Sequence, residues 1–336
     1  MKKALIHIGS GKTGSTSIQK SLISYVKNKH SDFSFPVVDT LGNQNIDCLF
    51  KPAKRFSRAL KSRLNAKGIK PNKYQKAFKN KFLKEYEDSK NLILSSEYFF
   101  NLNSDEIEKL YVFLKEELKI DEVQVVCYLR SPADYYLSFV QQQIKASSKY
   151  PVPSSFRYNM LENIKCWEDT FPNIVVRQFS KKQLVNEDVV LDFNNIINDF
   201  FDIKINLEPM KFNESLSALS MVTLQHYRKT IYGSKDGEFN KSSRNLLNML
   251  LDLSAEEKKP RLKKTVDATI QNNHKNQIVY FQNHYGLFKD LVMKEDDLSD
   301  CSIFNQYDVS EILMDEINES DILAMYAKIT EVLTNS

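Results

Sequence analysis

The chain has 336 residues, of which 42% are apolar and 27% charged, and a formal net charge of +4. That length exceeds the roughly 250–300 residues at which one core usually stops growing, so one elaborated domain and two domains are both open. Eight glycines and nine prolines exclude a low-complexity or linker-dominated chain. The cysteines, Cys48, Cys127, Cys166 and Cys301, form no CxxC pair and suit neither a zinc site nor a dense disulfide framework. Free thiols in a reducing compartment are the expectation. The apolar stretch 4–8 is too short for a signal-peptide core, and no run of about 20 apolar residues is present to span a bilayer. A cytoplasmic protein without a transmembrane segment is expected.

In chain order, residues 4–8 (ALIHI) predict a buried strand. The polar stretch 9–14 predicts a loop. A helix follows from Ser15, with Ile18, Leu22, Ile23 and Val26 spaced for one buried face. Residues 31–90 read as an irregular segment followed by basic helices. Between Lys51 and Lys90 there are fourteen Lys or Arg and three acids. That run suits either a solvated helical face or a surface that steers an anionic substrate or cofactor. It lacks the interleaved aromatics of a base-stacking platform, and no nucleic-acid module is visible, so nucleic acid is not an expected partner.

Residues 91–96 predict a second strand. Ser104 is expected to cap a helix carrying Ile107, Leu110, Val112, Phe113 and Leu114. Residues 123–129 predict a third strand, and Pro132 suits the first turn of a helix through Tyr135, Tyr136, Phe139, Val140 and Ile144. Then come a helix over 156–171, a strand over 173–177, and helices over 189–201 and 215–232. The stretch from about 242 to 332 reads as mostly helical. Strands alternating with helices predict an α/β fold with a parallel sheet and right-handed crossovers. No Pro/Gly/Ser linker divides the chain, so a single domain over 1–336 is predicted. It has an α/β core at 1–210, a basic helical insertion at about 51–90, and a helical part at 211–336.

A glycine-bearing loop between a strand and a helix N-terminus is an anion site, because unpaired N–H groups and the helix dipole face outward there. Lys12 adds a cation, and Thr13, Ser15, Thr16 and Ser17 add hydroxyls. The competing motif is the nucleotide P-loop, G-x-x-x-x-G-K-[ST]. Gly11, Lys12 and Thr13 supply its last three residues, but its first glycine falls on Ile6, inside the strand.

Here the sequence resembles the family of sulfotransferases that use 3′-phosphoadenosine 5′-phosphosulfate. Their phosphosulfate loop typically reads P-K-[ST]-G-[ST]-[ST] after the first strand. Gly11, Lys12, Thr13, Gly14, Ser15 and Thr16 match it, with Gly11 in the proline position, and the wider stretch from Ile6 through Ser17 to Gln19 is similar to bacterial glycan-modifying members. The family's second element is a strand ending in Arg followed by a helix carrying Ser about eight residues later. Here it is matched by Arg130 and Ser138, about one turn into the following helix. Arg130 leaves its strand at the carboxyl end, where ligands bind in open α/β sheets, and offers a planar fork to phosphate oxygens. Less specific similarities lie at 175–184, where many members have a strand and short helix near the adenine, and at 213–217. The resemblance covers roughly residues 1–220.

It implies a P-loop-like three-layer fold, a central parallel sheet flanked by helices, with acceptor or lid elements in the helical C-terminal part. It also implies transfer of a sulfuryl group to an acceptor hydroxyl, less readily an amine, and release of adenosine 3′,5′-bisphosphate. The loop residues 11–17 with Arg130 and Ser138 would hold this cofactor, and Lys12 would stabilise the bridging oxygen as its bond to sulfur breaks. Glu97, directly after the second strand, is the expected base. His7 is its rival, against the alternative of a core histidine. The acceptor expected from the resemblance and the basic region is a carbohydrate, such as a surface polysaccharide or membrane-linked glycolipid. No metal is expected. The alternatives are a phosphate-transferring enzyme and a non-catalytic glycan-binding relative.

Overall fold

The computed structural model describes residues 1–28, 32–88, 90–210, 215–232, 241–255, 257–291 and 308–334. In chain order the elements are β1 (Lys3–His7), α1 (Ser15–Asn28), β2 (Phe33–Ser34), α2 (Arg58–Ala66), α3 (Pro71–Glu85), β3 (Asn91–Ser95), α4 (Ser104–Val112) and β4 (Glu122–Leu129). After them come α5 (Pro132–Ile144), α6 (Met160–Glu168), β5 (Ile174–Gln178), α7 (Val189–Phe201), α8 (Ala218–Tyr232), α9 (Lys241–Leu253), α10 (Lys264–Asn273), α11 (Lys275–Tyr285), α12 (Val309–Ile312) and α13 (Glu319–Thr334). They group into two compact units. One is Met1–Arg130 with Asn159–Phe212, the other Ser131–Tyr158 with Asn213–Ser336. The chain passes between the units three times, after Arg130, Tyr158 and Phe212, so that the segment Ser131–Tyr158 groups with the C-terminal part.

The first unit is an α/β body built on a parallel sheet in the order β2-β3-β1-β4-β5. Central β1 pairs with β3 and β4, with Ile6 opposite Leu94 and Val125. Ala4, Leu5 and Ile6 are fully buried. A strand covered on both faces of a parallel sheet needs such a continuous apolar run. The edge strand β2, which the sequence reading left as irregular, is two residues long. Pro36 follows closely and has no N–H to continue a ladder.

Helices α1 and α7 share one apolar layer. Ile18, Leu22 and Tyr25 of α1 and Val190, Phe193 and Ile197 of α7 meet Leu5, Ile93, Val126 and Tyr128 of the sheet. Buried Asp192 fixes α7 in place. It accepts from Tyr128 Oη (2.8 Å), the Val185 N–H (3.2 Å) and the Arg177 guanidinium. A separate aromatic group, Phe99, Trp167 and Phe171, joins 97–101 to α6.

Two helix starts differ from expectation. Asn103, not Ser104, caps α4, because its side chain accepts the Glu106 N–H (3.0 Å) while Glu106 reaches back to the Asn103 N–H (3.2 Å). Helix α8 begins at Ala218 rather than 215, since Ser217 Oγ accepts the Ser220 N–H (3.2 Å). The helix expected over 156–171 is shorter, with α6 confined to Met160–Glu168. In the second unit Phe156 packs edge-on to Tyr136, Tyr158 stacks on Tyr135 at 3.9 Å, and the Tyr158 N–H donates to His274 Nε2 (2.7 Å). Those tertiary partners replace helical ones. That unit is mostly helical. Buried Arg228 of α8 closes the end of α5 by donating to the carbonyls of Ala146 (2.9 Å) and Lys145. Cys48, Cys127 and Cys166 are free thiols, while Cys301 and the pair Asn213 and Glu214 lie outside the described residues.

Candidate functional site

Four chain segments leave the sheet at its carboxyl edge within the first unit: the loop after β1, the segment from Glu97 after β3, Arg130 after β4 and Phe179 after β5. Ligands of open α/β sheets bind at this edge, beside the strand where the order reverses. That strand is β1 here. Hydrogen bonds tie the segments together. Ser10 Oγ donates to the Tyr128 carbonyl (2.8 Å), the Ser96 N–H to the His7 carbonyl (3.1 Å), Gln19 Nε2 to the Ser95 carbonyl (3.0 Å), and the Phe179 N–H to the Leu129 carbonyl (2.7 Å).

The loop has an unusual backbone. Gly11, Lys12 and Gly14 have φ of 70°, 57° and 78°. The left-handed region is open to glycine and disfavoured for lysine by roughly 1–2 kcal/mol. Gly14 is required twice over. Besides its φ, a Cβ there would lie 2.6 Å from Val189 Cγ1. Gly11 carries a further consequence. Proline is locked near φ −65°, so the residue at the family's proline position takes a backbone that proline cannot adopt. The substitution is therefore a different turn, not a loosened copy of the same one.

The Ile18 N–H donates to the Gly14 carbonyl (3.1 Å) as α1 begins. Amides ahead of it lack intrahelical acceptors and carry the positive end of the helix dipole. Buried Thr13 Oγ1, Ser15 Oγ, His7 Nε2 and Gln19 Oε1 have no hydrogen-bond partner. Each such atom costs about 1–3 kcal/mol unless a ligand or water meets it. Ser15 Oγ and His7 Nε2 converge at Gly9, where an added Cβ would lie 2.2 and 3.2 Å from them. The loop amides and the hydroxyls of Thr13 and Ser15 fit the oxygens of a phosphate or sulfate, whereas Gln19 Oε1 can only accept a hydrogen bond. Thr16 is exposed and Ser17 half-buried on the first turn of α1. Ile6, where a nucleotide P-loop needs its first glycine, lies fully buried within β1.

Glu97 follows Ser96 and is half-buried. Burial pushes its carboxyl above the usual carboxylate range, while the Lys12 charge and a hydrogen bond from Gln44 Nε2 (3.3 Å) pull the other way. Lys12 and Glu97 therefore lie within electrostatic reach of each other. A carboxylate held above its ordinary pKa suits proton acceptance nearer neutral pH. His7 is less suited. It is fully buried, bonded through Nδ1 to Ser95 Oγ (2.8 Å) and packed against Tyr128 and Phe193. Burial alone lowers its pKa to about 3, so it is a neutral ring at ordinary pH.

The Arg130 guanidinium lies 4.7 Å over the Phe179 ring, and the same ring would be 3.2 Å from a Cβ at Gly14. Phe179 thus touches both predicted anion elements. Sequence reasoning gave Gly9, Gln19 and Phe179 no individual role within the stretches it singled out, and passed over Gln44. The one legible signal was Phe179 at the carboxyl end of a strand. Ser138 belongs to the second unit, nearly two turns into α5, and is half-buried. Among the described residues no group of three or more His, Cys, Asp or Glu side chains is arranged to hold a metal ion.

No family model matches this chain. It is similar to an uncharacterised protein of Archaeoglobus fulgidus, 26% identical over an alignment of 255 residues that covers 72% of this chain. The chain spans 65% of that relative's length.

Proposed function

We propose that the chain is a sulfotransferase using 3′-phosphoadenosine 5′-phosphosulfate, built on a P-loop-like α/β core. The observation that carries this reading is the pairing, at one sheet edge, of two anion elements. One is the left-handed glycine-lysine loop with its orphaned buried hydroxyls, and the other is Arg130 held on Phe179. Two separate anion elements suit a cofactor with phosphates at both the 5′ and 3′ positions. Ser138 enters only through the sequence resemblance.

The donor supplies a sulfuryl group joined to the 5′-phosphate through one bridging oxygen. Loop amides and the hydroxyls of Thr13 and Ser15 bind the 5′-phosphate end, and Arg130 binds the 3′-phosphate as a fork. Lys12 neutralises the charge that develops on the bridging oxygen when its bond to sulfur breaks. Glu97, as carboxylate, takes the proton from the acceptor hydroxyl whose oxygen bonds to sulfur. Because burial raises its pKa, Glu97 meets that role with a driving force greater than an ordinary carboxylate has.

A thermal-shift titration tests the reading. Stabilisation by adenosine 3′,5′-bisphosphate is expected, reaching about 2.7 kcal/mol at 100 times Kd, with little response to ATP or adenosine 5′-monophosphate. Stabilisation by ATP alone points to a phosphate-transferring enzyme, and a response to none of the three sinks the cofactor assignment.

A further inference from the structure

We infer that helices α2 and α3 form a binding track for the acceptor, and that the acceptor is a linear acidic polysaccharide. This rests on the transferase reading, with Glu97 on the acceptor side. Between Asp47 and Glu85 the chain carries no acid and thirteen Lys or Arg residues. Lys67, Lys70, Lys73, Lys76, Lys81 and Lys84 are exposed. Among the described residues, Lys67, Lys70, Lys73 and Lys76 have no acid within ion-pairing distance. Their charge is spent on nothing inside the fold.

The track is anchored to the segment that carries Glu97. Ser57 caps α2 through the Leu60 N–H (3.2 Å) and also hydrogen-bonds Tyr98, the neighbour of Glu97. Lys51 Nζ donates to the Tyr98 carbonyl (2.9 Å), and Gln75 of α3 donates to the Cys48 carbonyl (2.7 Å). Gln44, which bonds Glu97, opens the turn that ends in Leu49. The helices that carry the cationic surface are therefore tied by hydrogen bonds to the segment that carries Glu97.

Its geometry selects a polymer. At about 100° per residue, Lys73, Lys81 and Lys84 fall on one face of α3, a helix of about 22 Å, with Lys70 beside them and Lys76 at the margin, while Lys79 turns away and pairs with Glu117. One small anion needs converging charges, as the loop after β1 provides. Charges strung out along a helix suit an anion repeated along a chain. The face offers no exposed aromatic ring for base stacking, since Tyr74 is half-buried and bonded to Arg63 (2.9 Å). Leu83 is its exposed large apolar residue, too little for seating in a bilayer.

The test measures binding to polygalacturonate, with neutral dextran as control, for the full chain and for a variant carrying Lys67→Gln, Lys70→Gln, Lys73→Gln and Lys76→Gln together. The parent is expected to bind polygalacturonate and not dextran. The variant should bind at least about tenfold more weakly, with the slope of log K against log salt reduced by roughly 3. Its stabilisation by adenosine 3′,5′-bisphosphate should be unchanged, which also establishes that it is folded. Equal binding by parent and variant overturns the track. Tighter parent binding to duplex DNA, or to vesicles of phosphatidylglycerol and phosphatidylcholine, overturns the polysaccharide. Lysine-dependent polysaccharide binding without any bisphosphate response removes the transferase reading and, with it, the acceptor role, while the track itself stands.

Discussion

The loop after β1 and the α2–α3 surface are both cationic, and they handle charge in opposite ways. The loop carries one lysine beside helix-start amides and the unbonded buried hydroxyls of Thr13 and Ser15, and Ser10 and Gln19 tie it to β4 and β3. The helix pair carries many lysines, and Lys67, Lys70, Lys73 and Lys76 have no acid within ion-pairing distance among the described residues. Preorganised dipoles act on charge at one atom without reorganising. Mobile surface charges supply long-range attraction that salt screens. On the proposed reading the first region acts on an anion and the second collects one, and each substitution below separates the two.

The largest effect is expected at Lys12. Lys12→Ala should lower kcat for sulfuryl transfer about 10³-fold, the scale of losing a group that stabilises developing charge. The Tm without ligand should hold, because a left-handed backbone is no better for lysine than for alanine. The quadruple lysine variant should instead leave kcat nearly intact and raise KM for an acidic acceptor. Unchanged turnover by folded Lys12→Ala would remove the catalytic assignment of the loop.

Glu97→Gln should lower kcat about 10²-fold. The sign of its pH dependence follows from burial. The base works as carboxylate, and burial raises its pKa above 4.5, so activity should rise with pH through an acidic limb above that value. Removing the carboxyl should abolish the limb, and a limb that persists in the variant would assign the base elsewhere. His7 supplies no such limb, because its own transition lies near 3.

The two regions also differed in how legible they were. The loop could be read because its chemistry is local: glycine, lysine and hydroxyls stand together in sequence between a predicted strand and helix. The same held for Arg130 at the end of β4 and Glu97 after β3, each placed by a strand whose apolar run was plain. What escaped was whatever depends on tertiary neighbours. Phe179 serves Arg130 from a different strand. Gln44 reaches Glu97 across 53 residues. Tyr158 is drawn out of a helical pattern by Tyr135 and His274. The basic helices were legible as composition alone. Their link to Glu97 runs through Ser57, Lys51 and Gln75, whose bonds no spacing rule contains.

The smallest effect expected is also the most informative about the loop. By sequence resemblance, Gly11→Pro restores the family's consensus and should be neutral or favourable. By the backbone it should do harm, since φ at Gly11 is 70° and the proline ring holds φ near −65°. Forcing a residue out of a conformation the surroundings require costs about 1–3 kcal/mol. The neighbours cannot easily absorb the change, because Lys12 is already left-handed and Gly14 is wedged against Val189 and Phe179. The expected outcome is binding of adenosine 3′,5′-bisphosphate weakened roughly 10–30-fold, which is about 1.4–2 kcal/mol. Binding to polygalacturonate should be untouched, because α2 and α3 do not share the loop's backbone. Tighter bisphosphate binding by Gly11→Pro would mean that the loop adopts the proline-type turn when an anion is bound.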